Sequence, residues 1–277
     1  MQTLQDRRAR FMALHQETRA FLMPNPFDKG TTQILEGLRF DALATTSAGY
    51  AFSRGLKDAE GLITRDMALS HAAEIVAATT LPVNGDLENG FGDTPDEVAE
   101  TVRGAIEAGL SGCSIEDFST DPVAPFYSQE LAVERIRAAV DIKKRLAPDF
   151  VLTARSEAPI ADPEHLELTI KRLNAFAEAG ADCLYAPELV KHDDIEAVLG
   201  RISKPLNILA GRQHFNLTRK ELADMGVARL SIGSGLARIA YGAFTAAAED
   251  MKDSGTFGCF DRAVGLSDFD PFLKGQG

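Results

Sequence analysis

Eight short apolar runs alternate with longer helix-period stretches without a break in composition, which predicts an α/β fold of the TIM type, a (β/α)8 barrel. Size agrees: 277 residues, 45% of them hydrophobic, suffice for one large core, so residues 1–277 are expected to be a single domain. Punctuation agrees as well. Glu107-Ala108-Gly109, Glu178-Ala179-Gly180 and Asp224-Met225-Gly226 each read as a helix ending in glycine. A doubly wound open sheet would need a phosphate-binding glycine fingerprint after an early strand, and none is visible.

In order along the chain, the segment up to Arg19 is charged and helical in pattern. Strand-like runs follow at residues 20–23, 41–45, 80–83, 112–115, 150–154, 182–185, 205–209 and 229–232. The helix-period stretches between and after them cover 32–38, 65–78, 96–108, 129–146, 163–179, 194–202, 218–225 and 234–251. Asp93-Thr94-Pro95 is a good helix start. The barrel therefore spans about 20–251, and residues 252–277, rich in Gly, Phe and Asp, form a tail that docks elsewhere, a neighbouring subunit included.

Charge and cysteine usage exclude several classes. The net charge is −12 and no stretch gathers a basic stripe, so nucleic-acid binding is disfavoured. No apolar run approaches membrane-spanning length. Three scattered cysteines, an odd count without metal spacing, and no secretory core at the start point to a reducing cytoplasm. An anionic ligand would need local positive charge from a metal, an arginine or backbone N–H groups.

Active sites of such barrels lie at the C-terminal ends of the strands. The second strand leads into Thr45-Thr46-Ser47-Ala48-Gly49-Tyr50, a small-residue turn whose N–H groups can receive a carboxylate, and the same loop runs on to Asp58. The third leads into Val83-Asn84-Gly85-Asp86-Leu87-Glu88-Asn89-Gly90-Phe91-Gly92. If strand geometry persists there, Asp86 and Glu88 share a face, and two converging carboxylates call for a hard cation such as Mg²⁺ or Mn²⁺. The fourth strand ends Ser114-Ile115-Glu116-Asp117, the fifth Thr153-Ala154-Arg155-Ser156-Glu157, and the seventh leads to Gly211-Arg212-Gln213-His214. Singly, each acid reads as a helix cap or a solvated loop charge. Jointly, acids on successive strands beside Arg155 read as a metal site with an arginine that clamps an anionic ligand in bidentate fashion.

The segments 85–92 and 114–117, together with Ala154-Arg155-Ser156-Glu157-Ala158, resemble the isocitrate lyase and phosphoenolpyruvate mutase superfamily, over about residues 21–251. The resemblance implies a barrel whose last helix is exchanged between subunits, giving homodimers or homotetramers. It implies Mg²⁺ beneath a small anionic 2-oxo or 2-hydroxy carboxylic acid. Asp86 matches the acid that touches the metal, and Asp58, Glu88 and Glu116 match those that hold it mainly through water. Arg155 matches the substrate-binding arginine, and Ser47, Ala48 and Gly49 match the turn that receives the carboxylate. Two positions depart from the pattern: Ala48 stands where glycine is expected, and Glu88 replaces the more common aspartate.

A larger departure follows the fourth strand. Family lyases carry a Lys-Lys-Cys-Gly-His segment whose cysteine works as acid/base, whereas this chain has Phe118-Ser119-Thr120-Asp121-Pro122-Val123-Ala124-Pro125-Phe126-Tyr127. Its composition favours an extended loop, expected to be a mobile lid over residues 118–129. Cys113 should face away from Glu116, Cys183 reads as core filler, and Cys259 lies in the tail. Tyr127 and His214 remain as candidate proton donors. The resulting expectation is a Mg²⁺-dependent lyase that breaks a C–C bond or decarboxylates through an enolate. A phosphonomutase and a non-catalytic 2-oxo acid-binding protein are the alternatives.

Overall fold

The computed structural model describes residues 3–58 and 60–273. The outermost residues of the expected domain, 1–2 and 274–277, lie outside them. Helix α1 (Leu4–Leu14) precedes strand β1 (Phe21–Met23), α2 (Lys29–Gly37), β2 (Leu43–Ala44), α3 (Ser47–Ser53) and α4 (Arg65–Ala78). Then come β3 (Val83–Asp86), α5 (Pro95–Glu107), β4 (Gly112–Glu116), α6 (Gln129–Leu146), β5 (Val151–Arg155) and α7 (Pro163–Ala179). The chain closes with β6 (Cys183–Tyr185), α8 (His192–Leu199), β7 (Leu206–Leu209), α9 (Arg219–Met225), β8 (Arg229–Ser231) and α10 (Gly235–Ser254).

All eight strands are parallel, in the order β1-β8-β7-β6-β5-β4-β3-β2. The Ala44 N–H donates to Pro24 O at 3.0 Å, bringing the two edge strands together and nearly closing the barrel. Local chemistry supports each element. Thr94 caps α5 with a reciprocal bond to Glu97 and Pro95 sits in the first turn, an arrangement worth about 1 kcal/mol. Gly109, Gly180 and Gly226 all adopt positive φ just past their helices, as glycine alone does at little cost.

The core divides into two parts. Between sheet and helices lies a large apolar layer that includes Val98, Val102, Ile136, Leu152, Leu173 and Ile208. A second cluster fills the N-terminal end of the barrel, where Phe11 and Leu14 of α1 meet Phe21, Met23, Val151 and Cys183. Helix α1 thus plugs one mouth, and the site is confined to the other. Arg8 of α1 fastens the plug by donating to Ile106 O at 3.0 Å and Leu110 O at 3.2 Å.

The structure revises two expectations, and it shows residues 118–127 without helix, as expected. Strand β3 starts at Val83 and ends at Asp86 instead of covering 80–83, because the chain before it turns at Thr79–Pro82. Glu88 therefore lies beyond the strand, in the left-handed region at φ 48°, so strand alternation does not align it with Asp86. The small-residue turn after β2 is the first turn of a helix, α3, with Thr46 as its cap. Residues 118–127 fold back as a narrow hairpin, with Ser119 N–H on Pro125 O at 2.7 Å and Tyr127 N–H on Asp117 O at 2.9 Å.

Helix α10 buries only Ala237 and exposes Ile239 and Phe244. After it the tail makes two short 3₁₀ turns and brings the Phe272 ring against Gly37, where a side chain would collide. No helix among the described residues is long and apolar enough to cross a membrane.

Candidate active site

Two adjoining cavities of about 230 and 220 Å³ open at the C-terminal mouth of the barrel. Asp58, Ser47 and Arg155 line both; Asp86 and Ala48 line the first, and Glu88, Glu116 and Glu157 the second. Five carboxylates thus surround one arginine. Arg155, the last residue of β5, sits between neighbouring strand ends because Glu116 is its partner across the ladder. Its guanidinium lies 3.2 Å from Glu116 Oε2 and 3.4 Å from Asp86 Oδ1, donates through Nε to Glu157, and stacks 5.0 Å from the Tyr185 ring centre.

Asp86 also accepts from the Ser47 N–H and hydroxyl, both at 3.0 Å, and its own N–H donates to Thr45 Oγ1 at 2.8 Å. The first turn of α3 therefore holds the acid, not an incoming ligand, through Ser47. The Gly49 N–H is spent on the Thr46 cap at 3.2 Å. Ala48 contributes its place in the cavity wall.

Electrostatics record the crowding. Burial, then the charges of Asp86 and Asp58, push the Glu88 carboxyl up to about 7 against the pull of Arg155. Burial raises Glu116 well above the usual range, with Arg155 opposing and Glu157, Asp86 and Glu88 adding to the rise. Glu157 is raised by burial, with Arg155 opposing and Asp117 and Asp86 adding to the rise. Among the described residues, no three His, Cys, Asp or Glu side chains converge into a closed metal cage. The donor set still fits a hard divalent ion that keeps most of its water: oxygen ligands only, with more carboxylates at the rim than Arg155 can balance, which is why burial and mutual repulsion raise Glu88, Glu116 and Glu157.

The loop carrying Glu88 is fixed from behind. Arg135 of α6, 1% exposed, donates to Gly92 O at 2.6 Å and to Asn89 O, and lies 4.1 Å from the centre of the Tyr127 ring. The Tyr127 hydroxyl donates to Asp93 Oδ1 at 2.6 Å and accepts from Asn89 at 3.0 Å. Tyr127, expected as a proton donor, thus faces the back of the loop and lines neither cavity, and burial pushes it up to about 12. His214, the other candidate, is exposed on the β7–α9 loop and lines neither cavity. Cys113 and Cys183 are fully buried, with thiols raised by burial.

Two acids unassigned from sequence belong to the site. Glu157 lines the cavity, and the buried Asp117 holds it there, accepting the Glu157 N–H at 2.8 Å and Arg172 at 2.9 Å. Both stand in strand-end segments already singled out, so position was the signal. The hairpin comes to the mouth through Phe118 and Thr120, and Thr120 faces Gly61 of the opposite loop.

Eight parallel strands nearly closed into a barrel, with an acid-ringed arginine at their C-terminal mouth, place the chain in the class of TIM-type α/β barrels. Within it, residues 11–252 match the phosphoenolpyruvate phosphomutase family, and the chain belongs to the phosphoenolpyruvate mutase and isocitrate lyase superfamily. It is 29% identical to the 2-methylisocitrate lyase of Halalkalibacterium halodurans over 253 residues, 89% of this chain and 82% of that protein. A crystal structure from Burkholderia cenocepacia J2315, provisionally assigned as a lyase/mutase, is 49% identical with a TM-score of 0.91, covering 96% of this chain and 95% of that one. An oxaloacetate acetylhydrolase in complex with its product oxalate is 26% identical with a TM-score of 0.84, covering 95% and 92%.

Proposed function

We infer that this protein is a Mg²⁺-dependent lyase acting on a small 2-oxo or 2-hydroxy carboxylic acid. The observation that carries the reading is Arg155 held among Asp86, Glu116 and Glu157 at adjoining strand ends. Asp86 would touch the ion, with Asp58, Glu88 and Glu116 reaching it through water. When bound, Mg²⁺ supplies Lewis acidity that draws electron density from C2 of the acid. Arg155 then binds the substrate's anionic oxygens as a planar fork, and its acidic neighbours keep it charged and oriented. Ser47 holds Asp86 in place, and the turn Ser47–Ala48–Gly49 borders the carboxylate position. The hairpin at 118–127 excludes water from the mouth.

The test is release of 2-oxo acids from isocitrate, 2-methylisocitrate and oxaloacetate, with Mg²⁺ and with a chelator. Mg²⁺-dependent release from one of them is the expected result. Oxalate binding without turnover of any would replace the lyase by a binding protein. Rearrangement of phosphonopyruvate, followed by ³¹P resonance, would replace it by a mutase.

Helix α10 is proposed to be exchanged between the subunits of a homodimer or homotetramer, since its Ile239 and Phe244 and the tail's Phe257 and Leu266 stand exposed. Light scattering should give a mass at least twice that of one chain, and a monomer would overturn the exchange.

A further inference from the structure

Among the described residues, a second arginine in the barrel has no acidic partner. Arg229, the first residue of β8, is 1% exposed and lines the same cavity as Asp86 and Arg155. Its Nε donates to Asn207 Oδ1 at 2.8 Å, and a terminal nitrogen lies 3.2 Å from His15 Nε2. Both partners are neutral. Burial, then the charge of Arg229 itself, push the His15 imidazole down to about 3, and its Nδ1 meets Phe11 O at 2.8 Å. With Nδ1 protonated, Nε2 accepts from Arg229. Where Arg155 has three carboxylates, Arg229 has none within ion-pair distance among the described residues.

Register places this cation below the rim. Arg155, Tyr185, Asn207 and Arg229 are matched in turn across β5, β6, β7 and β8. Matched residues descend toward the plug: from Asp86 the same three steps lead through Ser114 and Thr153 to Cys183, which packs with Phe11. Three strands ~4.8 Å apart, tilted by ~36°, put the Arg229 backbone about 8 Å beneath that of Arg155. The cavity joining them is therefore polarised, acidic at the rim and cationic at the floor.

The floor carries further polar groups. Asn84, 3% exposed, lines the cavity with its amide nitrogen on Gly85 O at 3.2 Å, while its amide oxygen has no partner among the described residues. Either end of that amide can turn toward a ligand. Ser231 accepts from Asn207 at 3.0 Å and hydrogen-bonds Tyr185, tying the floor to the ring beside Arg155. A buried guanidinium with only neutral partners is expensive unless an anion reaches it.

We propose that the floor of the barrel is a second anion subsite, in which Arg229, supported by Asn207, Asn84 and Ser231, takes the distal carboxylate of a four- or five-carbon dicarboxylic ligand whose other end lies at Arg155. It rests on the reading of the rim as a 2-oxo acid site. Of the dianions such a site can take, oxalate reaches the rim alone and 2-oxoglutarate spans rim and floor.

Calorimetry with both probes, in excess Mg²⁺, tests the subsite on the wild type, Asn207→Asp and Arg229→Gln. The first variant is isosteric and supplies Arg229 with a fixed carboxylate, so the fold is retained even if Arg229→Gln unfolds. Each variant is expected to weaken 2-oxoglutarate at least tenfold while oxalate stays within twofold. Unchanged 2-oxoglutarate binding, or an equal loss for both probes, would overturn the subsite and leave Arg229 as a fastening for α1. If oxalate fails on the wild type but 2-oxoglutarate binds and Asn207→Asp weakens it, the rim reading falls and the floor stands. If neither binds, both fall.

Discussion

Glu88 links the charge of the site to the stability of the barrel. Its carboxyl is raised by burial and by Asp86 and Asp58 to about 7, from the usual 4.5. Between those values the folded chain keeps a proton that the unfolded chain has lost. The stability carried by the neutral carboxyl is complete below pH 4.5 and disappears as pH rises through 7. The gap corresponds to about 3 kcal/mol, and in a chain of this length to about 6 °C of Tm. Thermal melts of metal-free protein from about pH 5 to about pH 8, wild type against Glu88→Gln, isolate the effect, because other titrating groups cancel in the difference. Over that window the wild type should lose roughly 4 °C relative to the variant, the part of the gap that lies above about pH 5, and Mg²⁺ should recover part of that loss. A flat difference across the range would refute the account of why Glu88 is protonated.

Asp86→Ala should abolish Mg²⁺ binding by calorimetry, whereas Glu88→Gln should only weaken it, because in the proposed site Glu88 would reach the ion through water; normal binding by Asp86→Ala would remove the assignment. Arg155→Lys keeps the charge but loses the planar fork, so oxalate affinity with Mg²⁺ should fall at least about tenfold, or ~1.4 kcal/mol; unchanged affinity would exclude the clamp. Glyoxylate release from isocitrate should be slower by roughly 10² to 10⁴ than in a cysteine-bearing relative assayed alongside, the usual worth of a general acid; comparable turnover would point to an acid at the rim, Glu157 first.

Periodicity and punctuation located seven of the eight strands because each buried run is short and bounded by glycine or a helix cap. They misplaced β3, where Pro82 ends a turn inside an apolar run and the strand continues through small and polar residues to Asp86. The rim acids and Arg155 were legible because strand ends face one mouth in any such barrel. Tyr127 was misread since nothing local reveals that its hydroxyl turns back to Asp93. The same holds for Arg229 and His15, which meet across 214 positions of chain. Contacts between residues so far apart leave no mark in any window of sequence.

The grip of Arg135 on Asn89 and Gly92 has a consequence for engineering. The strand-to-helix loop after β3 is not a module that ends at its own termini, for its shape is set by a guanidinium 43 positions downstream of Gly92. A loop transplanted from a relative would arrive without the partner that shapes it. It would have to bring its counterpart of Arg135, with the aromatic ring beneath it, or settle into a different backbone. Glu88, which needs a left-handed conformation that only a constrained backbone imposes on glutamate, would be the first residue to relax. Exchanging this loop among such barrels is thus a graft of two distant segments at once.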